Sequence, residues 1–110
     1  MKIQQLTDLH LDINSDCEQF KEKTNFKIDP SVDVIVITGD VFNDARKTVD
    51  WMHYVFIEKM HSHQHLFYIF GNHEFYECDI QTAYEYALSL NHKQITFLHK
   101  DLCINYNGVC

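Results

Sequence analysis

Three short polar groups hold the side chains that can do chemistry: Thr7-Asp8-Leu9-His10, Gly39-Asp40 and Gly71-Asn72-His73-Glu74. Carboxylate, imidazole and amide oxygen are hard or borderline donors that suit manganese, iron, zinc or magnesium, and one carboxylate can bridge two such ions. Two ions roughly 3.5 to 4 Å apart clamp a phosphate, lower the pKa of a bridging water and stabilise the leaving oxygen. That chemistry needs no Ser or Cys nucleophile. The third group interrupts the aromatic run YIFGNHEFY at 68 to 76, where a core strand has no use for three polar side chains in a row.

Each group follows a segment that reads as a strand: KIQQL at 2 to 6, the β-branched run VDVIVIT at 32 to 38, and HLFYIF at 65 to 70. Between the second and third, Val49, Met52, Phe56 and Met60 recur at helical spacing over about residues 45 to 61. After the third, Ile80, Ala83, Tyr84, Ala87 and Leu88 do the same behind a capping Asp79. The segment 14 to 29 is polar and reads as a helix followed by a loop ending at the Asp29-Pro30 turn. Strands alternating with helices predict an α/β fold of βαβ units, with a mainly parallel sheet and flanking helices. In such a sheet the carboxyl ends of the strands face one crevice. Asp8, His10, Asp40, Asn72, His73 and Glu74 are therefore expected to converge there, with Gly39 and Gly71 permitting a tight exit from the second and third strands.

The ordered set Asp8-Leu9-His10, Gly39-Asp40 and Gly71-Asn72-His73-Glu74 resembles the calcineurin-like metallophosphoesterases, whose pattern is D-x-H, then G-D, then G-N-H-[DE]. The resemblance covers nearly the whole chain and implies the N-terminal βαβαβ part of that family's sandwich. It implies a phosphoesterase acting on phosphomonoesters or phosphodiesters with two divalent ions. Asp8 and His10 would bind the first ion, Asp40 would bridge both and Asn72 would bind the second. His73 would protonate the leaving group. Many relatives carry an aspartate three residues after the bridging one, where it orients that histidine. Here Asn43 stands there with Asp44 beside it, so both are expected around the site, and Asn43 brings a hydrogen bond without charge. Glu74 is expected either to steady a ligand from behind or to cap the next segment. The Arg-Gly of the protein Ser/Thr phosphatase branch is absent; Ala45-Arg46 stands in its place.

In the longer family pattern a further His and a Gly-His-x-His complete the two metal spheres, and nothing after Glu74 supplies them. ITFL at 95 to 98 and LCINY at 102 to 106 read as strands, and Asn107-Gly108 is a hairpin turn signal with no return strand after it. The expectation is one metallophosphoesterase domain over 1 to 110 whose C-terminal half is missing. Two other classes compete. One is a non-catalytic remnant that binds metal weakly, or a protein partner through an unpaired edge. The other is a receiver-type domain, which would need a pair of acidic residues where Asp8-Leu9-His10 stands.

Composition bounds the rest. The chain has 110 residues, 45% hydrophobic and 14% aromatic, enough for one small core. Nine basic against sixteen acidic residues give a net charge of −7, which argues against a nucleic-acid or anionic-membrane surface. The N-terminus is too polar for a signal peptide and no apolar run approaches a membrane span, so a cytoplasmic location is expected. Cys17, Cys78, Cys103 and Cys110 form no C-x-x-C pair and are read as ordinary thiols. The tract His61-Ser-His63-Gln-His65 follows Met60 rather than a glycine and reads as a helix-to-strand junction. Phe70, Phe75 and Tyr76 flank the crevice, with core packing favoured over stacking on a substrate ring.

Overall fold

The β-branched run at 32 to 38 forms one of the two inner strands of the sheet. The structure, a computed structural model, describes residues 2–9, 27–90 and 92–98. β1 (Ile3–Leu6), β2 (Val34–Ile37), β3 (His65–Tyr68) and β4 (Ile95–Phe97) form one sheet in the order β1-β2-β3-β4, and every pairing is parallel. The register sets Ile35 beside Leu66 and Leu66 beside Ile95, and sets Leu6, Ile37, Tyr68 and Phe97 in the next row. Residues in one row share a face, so these two rows form an apolar layer. Ile35, Ile37, Leu66 and Tyr68 within it are at most 1% exposed.

Helices cover that layer. Asp44 caps α1 (Ala45–Trp51) by accepting from the Arg46 backbone N–H, and the helix continues through a π-helical turn (Met52–Phe56) into α2 (Ile57–Lys59). Met52, Phe56 and Met60 are all buried at steps of four residues, which outrun the 3.6-residue α-helical turn. A wider turn keeps them in line against the sheet. α3 (Ile80–Ser89) begins at Asp79, whose carboxylate accepts from the Thr82 N–H at 2.8 Å. Because the strand order runs steadily in one direction, right-handed crossovers place α1 and α3 on the same face, where Ala45, Cys78 and Ala83 pack together. The apolar stripe of α3 is narrower than its spacing predicts. Ala83 and Ala87 are buried and Tyr84 partly so, whereas Ile80 and Leu88 are 59% and 50% exposed.

The strands are shorter than the apolar runs suggest: β2 ends at Ile37 and β3 at Tyr68, although the Thr38 and Ile69 N–H groups still donate to the Leu6 and Ile37 carbonyls of the neighbouring strands. The Asp29-Pro30 turn is present: the Asp29 carbonyl accepts from Val32 N–H and its carboxylate from Ser31 N–H and Oγ. His10, most of the 14–29 segment, the 102–106 strand, the Asn107-Gly108 turn, Cys17, Cys103 and Cys110 lie outside the described residues. No helix among the described residues is long and apolar enough to cross a membrane.

Candidate metal centre

Three neighbouring strand ends carry the predicted donors: Asp8 follows β1, Asp40 follows β2 and Asn72 follows β3. Asp8 and Asp40 both adopt the left-handed conformation, with φ of 53° and 55°, and Gly39 has φ of 94°. Aspartate tolerates that region better than most residues, yet it is sparsely populated. One such aspartate lies two residues past β1 and the other three past β2, so the backbone takes an uncommon conformation at two neighbouring strand ends. The Asp8 N–H donates to the Gly39 carbonyl at 3.2 Å, so the two loops are joined directly. Thr7 Oγ1 donates to Asp8 Oδ2 at 2.9 Å.

The loops after β2 and β3 approach to backbone contact, which only glycine permits. A Cβ on Gly39 would lie 2.1 Å from the Gly71 nitrogen, and one on Gly71 would lie 2.2 Å from Asp40 Oδ1. Glu74 fastens this junction from within. Its fully buried carboxylate accepts from the backbone N–H groups of Asp40 (2.7 Å), Val41 (2.8 Å), Phe42 (3.0 Å) and Gly71 (2.7 Å), and from Thr48 Oγ1 (3.1 Å). A buried carboxylate is tolerated only when so thoroughly hydrogen-bonded. Of the two roles the sequence left open for Glu74, the geometry describes a tie between loops. Thr48, far from Glu74 in sequence and inside α1, carries no signal that marks it in advance.

His73 lies in the 3₁₀ turn Asn72–Phe75 and is held at three points. Its N–H donates to Asp40 Oδ1 at 3.0 Å, its Nδ1 lies 3.1 Å from Asn43 Oδ1, and its ring centroid is 4.5 Å from that of Tyr76. An amide oxygen can only accept, so this contact places the proton on Nδ1 and leaves Nε2 as the ring's other nitrogen. Asn72 Nδ2 donates to Tyr76 Oη at 3.3 Å, which makes Oδ1 the atom of that amide suited to a cation. Asp44 faces the other way, capping α1 and holding the Arg46 guanidinium through Nε and Nη2. Those Arg46 contacts hold its carboxyl below the usual range, against the opposing effect of burial.

Two carboxylates and an amide oxygen on adjoining strand ends match in kind the hard-donor set that divalent ions take. Among the described residues no three His, Cys, Asp or Glu side chains are grouped to hold a metal; His10 lies outside them. The candidate donors among the described residues are Asp8, Asp40 and Asn72, and the His73 N–H donates to Asp40. The His61-to-His65 tract sits at the opposite end of β3. His63 Nε2 contacts the Pro30 carbonyl at 2.9 Å and His65 Nε2 contacts Thr96 Oγ1 at 2.7 Å.

An all-parallel sheet with flanking helices makes this an α/β protein, with Asp8, Asp40 and Asn72 following three neighbouring strands at their carboxyl ends. The sequence model of calcineurin-like phosphoesterases matches residues 1–109, and the chain belongs to that family of metal-dependent phosphoesterases. No curated protein and no solved structure matches the chain.

Proposed function

We propose that this chain hydrolyses phosphomonoesters or phosphodiesters at the carboxyl edge of β1, β2 and β3. The observation that carries this reading is the pair of left-handed aspartates, Asp8 and Asp40, on adjacent strand ends with His73 hydrogen-bonded to Asp40. Asp8, Asp40 and Asn72 would hold two divalent ions together with His10, with Asp40 shared between them. Manganese, iron, zinc and magnesium all accept such donors. Bound there, the ions neutralise phosphate charge and make a water acidic enough to attack.

The residues of the chain then do the following. Asp40 offers one carboxylate oxygen to the His73 N–H, which ties ligand geometry to the position of the imidazole. Asn43 accepts from Nδ1–H, so it is the doubly protonated ring whose Nε2–H would meet the leaving oxygen and hand it a proton, leaving the neutral Nδ1–H tautomer behind. Asn43 brings no charge, so the imidazole relies on orientation more than on a carboxylate partner. Glu74 fixes the backbone N–H groups of Asp40 and Gly71 and so keeps the two loops in register.

The test is hydrolysis of p-nitrophenyl phosphate and bis(p-nitrophenyl) phosphate with manganese, together with manganese titration by calorimetry. Asp40→Asn is expected to abolish turnover more completely than Asp8→Asn, because a shared ligand serves both ions and Asp8 serves one. Asp40→Asn turning over at the parent rate overturns the reading. Metal binding in the parent without hydrolysis of either ester would make the chain a non-catalytic remnant instead.

A further inference from the structure

The three aromatic residues around the third motif have separate fates. Phe70 and Phe75 are partly buried and pack against the core: their rings meet edge-on at 5.8 Å, and Phe70 also lies 4.9 Å from Phe97 and 6.4 Å from Tyr84. Tyr76 is 60% exposed. Core packing therefore accounts for the first two and not for the third.

Nor is Tyr76 a loose surface side chain. Its backbone N–H donates to the His73 carbonyl at 3.1 Å, closing the 3₁₀ turn. Its hydroxyl accepts from Asn72 Nδ2, and its ring lies 4.5 Å from the His73 ring at 41°. A large aromatic ring is thus fixed beside one candidate ligand and the candidate proton donor, with most of its surface facing solvent. An exposed ring held in place presents a stacking surface without having to give up rotamer freedom on binding.

We infer that Tyr76 is a specificity-determining residue of this centre, its ring forming the wall against which a planar aromatic substituent of the phosphate ester stacks. The inference rests on the proposed phosphoesterase reading and adds the substrate class. Aryl and nucleobase-bearing esters share this chemistry: a flat π-surface reachable from the phosphate. Simple alkyl phosphates lack it and gain only the contacts to the phosphate itself. His73, on the near side of Tyr76, meets the ester oxygen that links phosphate to the ring.

Phenylphosphonate and methylphosphonate test this, since they share a headgroup, cannot be hydrolysed at their P–C bond and differ in the ring. Their affinities are measured by calorimetry in the presence of manganese for the parent, Tyr76→Phe and Tyr76→Leu. The parent and Tyr76→Phe are expected to prefer phenylphosphonate by about tenfold, the usual scale of one aromatic stack, and Tyr76→Leu to lose that preference while retaining methylphosphonate. The corresponding ratio of kcat/KM for phenyl phosphate over ethyl phosphate should collapse in Tyr76→Leu alone. Equal affinity for both phosphonates in the parent, or an unchanged preference in Tyr76→Leu, overturns the role of Tyr76 and leaves the phosphoesterase reading standing. Failure of the parent to bind either phosphonate removes that reading and this inference with it.

Discussion

His73 illustrates how a few contacts define a residue's chemistry. Asn43 fixes its tautomer, Asp40 fixes its backbone and Tyr76 fixes its ring, so the imidazole is presented rather than merely nearby. His73→Ala is expected to lower turnover about a hundredfold or more, the scale of a general acid, while manganese content stays near that of the parent. Loss of metal along with activity would instead make His73 a ligand. Asn43→Asp supplies the charge that Asn43 lacks and would favour the imidazolium. Glu74 is the opposite kind of residue, acting mainly on backbone N–H groups, with Thr48 Oγ1 as a side-chain donor. Glu74→Gln turns one end of the group into a donor facing donors, so about 3 kcal/mol of stability should be lost, read as a lowered midpoint in urea. An unchanged midpoint would mean that the loops hold together without it.

At the scale of elements, the decisive contact is between two loops rather than two helices. Gly39 is left-handed and its Cα faces the Gly71 backbone, so Gly39→Ala meets both a disfavoured φ and a collision. Gly71→Ala meets the Asp40 carboxylate itself. Both are expected to cost more than about 2 kcal/mol, in keeping with strained backbone substitutions. Gly71→Ala should also weaken manganese binding by displacing a ligand, and calorimetry on the folded fraction separates the two effects. The π-helical turn has a milder basis: it keeps Met52, Phe56 and Met60 against the sheet, and the spacing of those three residues anticipated a helix without revealing its wider turn.

For the whole molecule, stability should depend on pH through two half-buried histidines. Burial lowers the pKa of His53 and of His65 below the ordinary 6.5, with a further lowering from nearby His92. The unfolded chain therefore takes up protons more readily than the folded one just below 6.5. Stability is full above that value and falls as the pH drops through it toward the folded-state pKa values. Thermal melts at about pH 7.5 and about pH 5.5 should show the lower melting temperature at the acidic end, and His65→Gln should flatten the difference. Manganese should raise the melting temperature by binding the folded state alone, a stabilisation of about 2.7 kcal/mol at a hundredfold excess over its dissociation constant. No shift at millimolar manganese would argue against a centre at the strand ends.

Strand, helix and motif order were legible in the sequence because each is a local property. β-branched runs commit to buried parallel strands, a four-residue apolar rhythm commits to a helix, and Gly39 and Gly71 mark places where a side chain cannot be accommodated. The order of the motifs was enough to place the chain in its family. Spacing along the chain carried no information about which groups face one another across loops. Asp44 and Glu74 are both buried acidic residues beside a motif, yet one caps α1 and holds Arg46 while the other binds four backbone N–H groups. Tyr76 and Phe75 are adjacent aromatics, yet only Phe75 reaches the core. Those choices depend on the close approach of two loops that the parallel register of β2 and β3 imposes, and on which side of each turn the chain leaves the sheet. Only the tertiary structure decides them, because burial and hydrogen-bond satisfaction are properties of the assembled neighbourhood rather than of the residue.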